Sequence, residues 1–476
     1  MNKAKAWTAA FFIFAAVFYF FYSSHKSRPN VLIIHIDSLR PDHLGCYGYA
    51  RNTSPHIDQM AGQGVVFSNA ISQASHTLAS NPSFITSNYP YRNIVDFKGH
   101  AAYINPEDIS LPGVLKKYGY ATALITDHPT YVGRILGLKP YFDSYGEIET
   151  NHPRDLTRSA LAWLKVNKDK RFFLWLYYFG AHGPYDLSAP YGDIFFKDGL
   201  PKRHKQIPIA GDDGKQIFGV IPKHISESGI TDVDHYVANY DGQIKNVDEQ
   251  IGRILAGIKS LGLDQNTIII LTSDHGESMG EHNYYFRHGA TLYDEMVKVP
   301  LIFMDPRHSL QKKRVGVQAR LMDVVPTILD RLHINKPRSM KGSSLLPCIS
   351  RGNCSVAPLA FCGTGASFFV RTLDWKLIYI DRQRIKASPR LSQKFGDYHR
   401  NDYELYDLKR DPQELNNVAA KERKVFEGMK KVLQVYVRKT REYQKYLLKK
   451  YPLKNDGSYI SPDNALKDKL RSLGYL

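Results

Sequence analysis

The chain has 476 residues, 43% hydrophobic and 23% charged; this allows two or three domains with a large core and argues against a disordered or collagen-like chain. Sixty-four Lys and Arg against 46 Asp and Glu leave a net charge of +18, which favours anionic partners. The four cysteines, Cys46, Cys348, Cys354 and Cys362, form no C-x-x-C pair, which argues against a zinc ribbon or a thioredoxin-like motif. Cys348 and Cys354 are near enough in sequence to close a small disulfide loop in an oxidising compartment; isolated buried thiols are the equal alternative.

Residues 6–22 (AWTAAFFIFAAVFYFFY) form an uncharged run, preceded by Lys3 and Lys5 and followed by His25, Lys26 and Arg28. Its length is near the lower limit for a spanning helix, roughly 17 residues. No small-x-small cleavage site follows it, so an uncleaved signal anchor is expected, with the rest of the chain outside the cytoplasm.

Beyond Arg28, strands and helices alternate. Asn30–Ile36, Thr122–Thr126, Phe172–Tyr178 and Thr267–Thr272 are continuous apolar runs of the kind that form buried parallel strands. Helical spacing occupies Ser54–Gln63, Leu111–Tyr118, Asp155–Val166 and Tyr236–Leu261. The pattern predicts an α/β fold with a mainly parallel central sheet flanked by helices. Tyr191–Thr231 is rich in Gly, Pro and Lys and reads as a long insertion, a lid or specificity loop. After a helix at Pro326–Leu332, two alternating runs joined at Leu373-Asp374 read as a hairpin, which predicts a smaller C-terminal α+β subdomain. Lys421–Lys454 holds 12 basic and 3 acidic residues. It is helical in pattern, with Val425, Met429, Val432, Leu433 and Tyr436 on one face. This basic tail is expected to meet an anionic lipid or glycan. No nucleic-acid motif accompanies it, so no nucleic-acid partner is expected.

Three places carry chemistry. Asp37 follows the first buried strand in HIDSLRPDHLGCYGY, and Asp274-His275 follows another in LTSDHGESMGEH. In open α/β sheets ligands bind at the carboxyl ends of strands, so two strands ending in metal-ligating residue types point to one site. The hydroxyl-rich segment His76–Ser83 opens a helix, where the field favours anions.

Together with HGATLYDEMVKVPLIF, DVVPTIL, GSSLLP, ELYDLKRDPQELNNVA and LRSLGYL, these motifs make the chain resemble the sulfatase branch of the alkaline phosphatase superfamily over nearly everything after Pro29. The resemblance implies an alkaline-phosphatase-like fold and a divalent cation held by Asp37, Asp274 and His275. Ser38 stands where many sulfatases have a second Asp, and His275 where many have Asn; the Asp-His pair is more like the phosphoryl-transferring relatives. This ligand set suits Mn²⁺, Zn²⁺, Mg²⁺ or Ca²⁺ without choosing among them. Sulfatases use a Cys or Ser, converted to formylglycine, in a C-x-P-S-R segment followed by T-G. No cysteine lies here. Aligning Thr86-Ser87 with the T-G puts the nucleophile at Thr77, which would also touch the metal; the competing register, Ser80-Asn81-Pro82-Ser83, has Phe84 in place of the Arg. His182, in YYFGAHGPY, matches a histidine that contacts the transferred group or the leaving oxygen and is the candidate general acid. His288 matches a Lys or His near the anionic group. His35, His100, His128 and His282 are assigned no role.

The organisation expected is an anchor and linker at 1–28, a catalytic α/β domain at 29–335, an antiparallel subdomain at 336–420 and a basic helical tail at 421–476. The function expected is metal-dependent hydrolysis or transfer of a phosphate ester through a covalent Thr77 intermediate. The alternatives are an arylsulfatase-type sulfuric ester hydrolase and a catalytically silent homologue that binds anionic ligands. Threonine cannot collapse as a formylglycine hemiacetal does, and this favours the phosphate ester.

Overall fold

The computed structural model describes residues 28–450 except 96–101, 106, 128–131, 133–137, 151, 186–189, 193, 197–204, 212–216, 308–313, 352–358, 365, 388–391 and 393–400. Asn30–Ile36 (β1) is buried at all seven positions because both of its faces are covered. Val31 and Ile33 enter one core; Leu32, Ile34 and Ile36 enter the other. Each side chain so buried contributes roughly 1.5–3 kcal/mol, and the continuous apolar run follows from having no wet face.

The elements that build these two layers are α1 (Pro55–Gln63), β2 (Val65–Ile71), α2 (Thr77–Thr86), α3 (Leu111–Lys117), β3 (Ala121–Thr126), β4 (Ser144–Glu147), α4 (Pro153–Asn167), β5 (Phe172–Tyr178), α5 (Val233–Ser260), β6 (Thr267–Thr272), β7 (Leu301–Met304), β8 (Arg314–Arg320) and α6 (Val324–Arg331). The sheet order is β8-β2-β7-β6-β1-β5-β3-β4, with the short strand Lys298–Val299 on β2. β1 lies parallel between β6 and β5, with Ile34 opposite Leu271 and Leu176. β7 runs antiparallel to both β6 and β2, so the sheet is mixed. Helices α1, α4 and α5 cover one face; α2, α3 and α6 cover the other.

Ala360–Thr364 (β9), Ser367–Arg371 (β10), Trp375–Ile380 (β11) and Tyr403–Asp407 (β12) form a separate antiparallel sheet. Helix α7 (Arg423–Lys450) packs on it through Phe426, Leu433, Tyr436 and Val437. Val432 is 38% exposed and lies outside this seam. The two sheets are tied by buried charges. Asp294 accepts from Arg371 at 2.7 Å and from Lys376 at 3.0 Å, and Lys376 also pairs with Glu414 at 3.0 Å.

Cys348 is disulfide-bonded, whereas Cys46 and Cys362 are free thiols; Cys354 lies outside the described residues. The apolar run at 6–22 also lies outside them. Among the described residues no helix is long and apolar enough to cross a membrane.

Candidate active site

Asp37 leaves the carboxyl end of β1, and Asp274 and His275 leave that of β6, the neighbouring strand. The parallel register therefore brings these residues together. Ser38 takes a left-handed backbone (φ 57°), a conformation uncommon outside glycine, and turns the chain sharply out of the sheet. Its hydroxyl donates to Asp37 Oδ1 at 2.9 Å. On the other strand end, Gly276 passes against the Glu295 carbonyl so closely that a Cβ would sit 1.9 Å from that oxygen. Only glycine lets the segment after His275 lie there.

One ligand atom each from Asp37, Asp274 and His275 falls within 4.8 Å of the others, and all three residues are buried. His275 Nδ1 lies 2.8 Å from the Gly276 carbonyl, which can only accept. The proton is therefore on Nδ1, and Nε2 carries the lone pair a metal requires. Nε2 stands 3.6 Å from Asp37 Oδ1 and 3.4 Å from Asp274 Oδ2. The Tyr177 hydroxyl lies 3.0 Å from Asp37 Oδ2 and 2.9 Å from Asp274 Oδ2, but its single proton serves one carboxylate at a time. Burial, then the adjacent Asp274 charge, pushes the Asp37 carboxyl well above its ordinary range. Two adjacent buried carboxylates beside an imidazole lone pair fit a divalent cation.

Thr77 is the first residue of α2, and its Oγ1 lies 3.1 Å from His275 Nε2. Ser80 is one turn further along, and its hydroxyl turns back to the Thr77 carbonyl at 3.5 Å. The His288 ring lies 4.4 Å from that of His275, and His182 packs edge-on to His288 at 4.8 Å. His182 Nδ1 donates to the Gly183 carbonyl at 2.5 Å and its ring stacks on Phe179, so its tautomer and orientation are set. Asp37, Asp274, His275, Thr77, His288 and His182 thus form one cluster of neighbouring side chains.

Three further contributors lacked a sequence signal. Tyr177 bridges the carboxylates and accepts from Asn81 Nδ2 at 3.2 Å. Glu277 meets His288 Nδ1 at 3.3 Å, with its carboxyl pushed by burial up to about 8. His35, held neutral by burial with its pKa lowered to about 4, stacks on Tyr177 at 4.7 Å. Tyr177 and His35 read simply as members of apolar strands, and Glu277 as a loop acid.

Beyond β5, β3 ends in Asp127. Its Oδ1 accepts from Phe179 N at 2.6 Å, its Oδ2 is buried without a partner among the described residues, and burial pushes its carboxyl from 3.8 up to about 7. The native state keeps a proton that the unfolded chain releases above about pH 4. This contribution to stability is full below that pH and falls by roughly 1.4 kcal/mol per pH unit up to about pH 7. Asp127→Asn should make the fall in stability between pH 5 and 7 shallower by about that slope in urea melts; parallel wild-type and variant curves would refute it.

The Sulfatase family model matches residues 29–334. An arylsulfatase of Clostridium perfringens is 26% identical over 473 residues, covering 82% of this chain and 90% of its own length. Two solved structures share the fold. A protein in complex with its substrate D-glucosamine-2-N,6-O-disulfate superposes with a TM-score of 0.68 at 19% identity, covering 88% of this chain and 98% of its own. The phosphonate monoester hydrolase of Agrobacterium radiobacter gives 0.67 at 20% identity, covering 88% and 96%.

Proposed function

The chain belongs to the sulfatase family of ester hydrolases, and we propose that it cleaves a phosphate ester through a covalent intermediate on Thr77. The observation that carries this reading is the placement of Thr77 Oγ1, 3.1 Å from His275 Nε2 beside the two buried carboxylates. Cys46 and Cys362 are free thiols in other parts of the fold, and Cys348 is in a disulfide.

Asp37, Asp274 and His275, with Thr77 beside them, would hold the divalent cation. When bound, the cation supplies positive charge that favours the Thr77 alkoxide and the anionic ester. Thr77 Oγ1 releases its proton to solvent and attacks phosphorus; the Thr–O–P bond forms as the bond to the leaving oxygen breaks. His182, its Nδ1–H held by the Gly183 carbonyl, acts as the imidazolium and delivers its Nε2 proton to that oxygen, with His288 beside it. Water then attacks phosphorus and returns a proton to His182, the bond to Oγ1 breaks, and the Thr77 oxygen takes back a proton from solvent. Positioning and charge neutralisation suffice for phosphoryl transfer. An alcohol in place of water would make the same site a transferase.

The sulfatase names of the curated relatives favour a second reading, sulfuric ester hydrolysis. A sulfated Thr77 would need direct displacement at sulfur, because threonine has no hemiacetal to collapse. A panel of phosphomonoesters, phosphodiesters and aryl sulfates, assayed after reconstitution with each divalent metal, separates the two: preference for aryl sulfates over every phosphate ester would reverse the assignment.

The catalytic part is proposed to act outside the cytoplasm behind an uncleaved anchor at 6–22. The apolar run without a cleavage site supports this, as does the disulfide at Cys348, a bond typical of oxidising compartments. Sequencing the mature N-terminus should recover residues before position 24; a start near Ser24 would exclude the anchor.

A further inference from the structure

Helix α7 carries ten basic and two acidic residues in 28, and its seam against the small sheet is apolar, through Phe426, Leu433, Tyr436 and Val437. On one flank the helix and β11–β12 border an open groove of about 380 Å³, whose lining includes Tyr379, Tyr403, Arg438, Arg441, Glu442 and Lys445. The two tyrosine rings lie 4.9 Å apart; they are half-buried, pack in part against the helix seam and turn their remaining surface to the groove. Lys430 sits 5.2 Å over the Tyr403 ring. Arg441 is neutralised by Asp381. Arg438 and Lys445 form no ion pair among the described residues. They stand seven residues apart, about 10.5 Å along the helix on the same side. No residue of the catalytic cluster lines this groove.

We propose that this groove is a second binding site for an acidic oligosaccharide, with Tyr379 and Tyr403 packing on the apolar face of a sugar ring and Arg438 and Lys445 pairing with successive anionic substituents. The volume falls in the range of small-ligand pockets, and an apolar wall with a few placed polar groups is the usual lining. Aromatic rings supply apolar area with a polar edge, which suits a pyranose. The spacing of the two unpaired cations suits charges repeated along a chain. A bilayer is the poorer fit, because the tyrosine rings are half-buried rather than protruding. The site is independent of the reaction at Thr77: it concerns affinity, and its failure would leave the proposed chemistry untouched.

Binding of a sulfated glycosaminoglycan oligosaccharide to the full-length protein, measured by calorimetry, tests the proposal. Arg438→Gln/Lys445→Gln should weaken binding roughly tenfold or more, equivalent to about 1.4 kcal/mol. Tyr379→Ala should weaken it without any change of charge, and turnover of a small aryl ester should be unchanged in both variants. Unaltered oligosaccharide affinity in both variants, each shown folded by its melting curve, would overturn the assignment. So would loss of binding to phosphatidylglycerol-containing vesicles with oligosaccharide binding intact, which would make this face a membrane contact.

Discussion

Thr77→Ala should lower turnover by roughly three or more orders of magnitude, whereas Ser80→Ala should retain most of it; loss of a nucleophile has effects of this size or larger. The difference follows from helix geometry. Thr77 opens α2 and faces His275 Nε2 at 3.1 Å, while Ser80 lies one turn away and its hydroxyl is directed to the Thr77 carbonyl. Both side chains are buried, so stability alone does not distinguish them; chemistry does. Intact mass and peptide mapping after a substrate pulse should place a phosphoryl group on the peptide containing Thr77 and leave the Thr77→Ala protein unmodified. Undiminished turnover in Thr77→Ala would remove the nucleophile assignment. An adduct on Ser80 would move it by one helical turn.

Asp274→Ala should lose bound metal and activity together while the fold persists. Metal affinity should fall by more than the roughly 10–100-fold typical for losing an outer-shell partner, because this substitution removes a ligand itself. It also leaves Asp37 alone with His275, with one buried negative charge fewer to hold a divalent cation. The apolar layers on either face of the sheet do not include Asp274, so circular dichroism and the melting curve of the metal-free protein should stay close to wild type. Burial and the adjacent Asp274 charge push Asp37 well up, which makes the paired carboxylates a cost in the absence of a cation. Elemental analysis of the purified variant is the direct check: full metal occupancy would refute the ligand assignment.

Much of the sheet was legible from local pattern. NVLIIHI, FFLWLYY and TIIILT are near-continuous apolar runs because each strand is covered on both faces; Asp37 directly follows the first, and Asp274-His275 follow the last after Ser273. A parallel sheet aligns carboxyl ends, so strand-end ligands could be assigned to one site before any contact was known. Strands β2, β7 and β8 gave no such signal. VVFSNAI is only partly buried in its middle, LIFM is four residues long, and RVGVQAR begins exposed. Their order rests on pairings between distant residues, such as Ile302 with Leu271 and with Val66, and local periodicity carries no information about partners.

The same limit applies inside the site. The sequence placed Asp37, Asp274 and His275 just after strands, its family resemblance added His182 and His288, and the spacing to Thr86 chose Thr77 over Ser80. Only the tertiary structure set Thr77 against His275, brought Tyr177 between the two carboxylates and put Glu277 against His288. It likewise joined Tyr379, Tyr403 and Arg438, which lie on two strands and a helix far apart in the chain. Residue type and period follow from the burial of each segment alone. Distances of 3 to 5 Å between segments follow from helix phase, strand register and close approaches such as Gly276 on the Glu295 carbonyl, which exist only once the layers have packed.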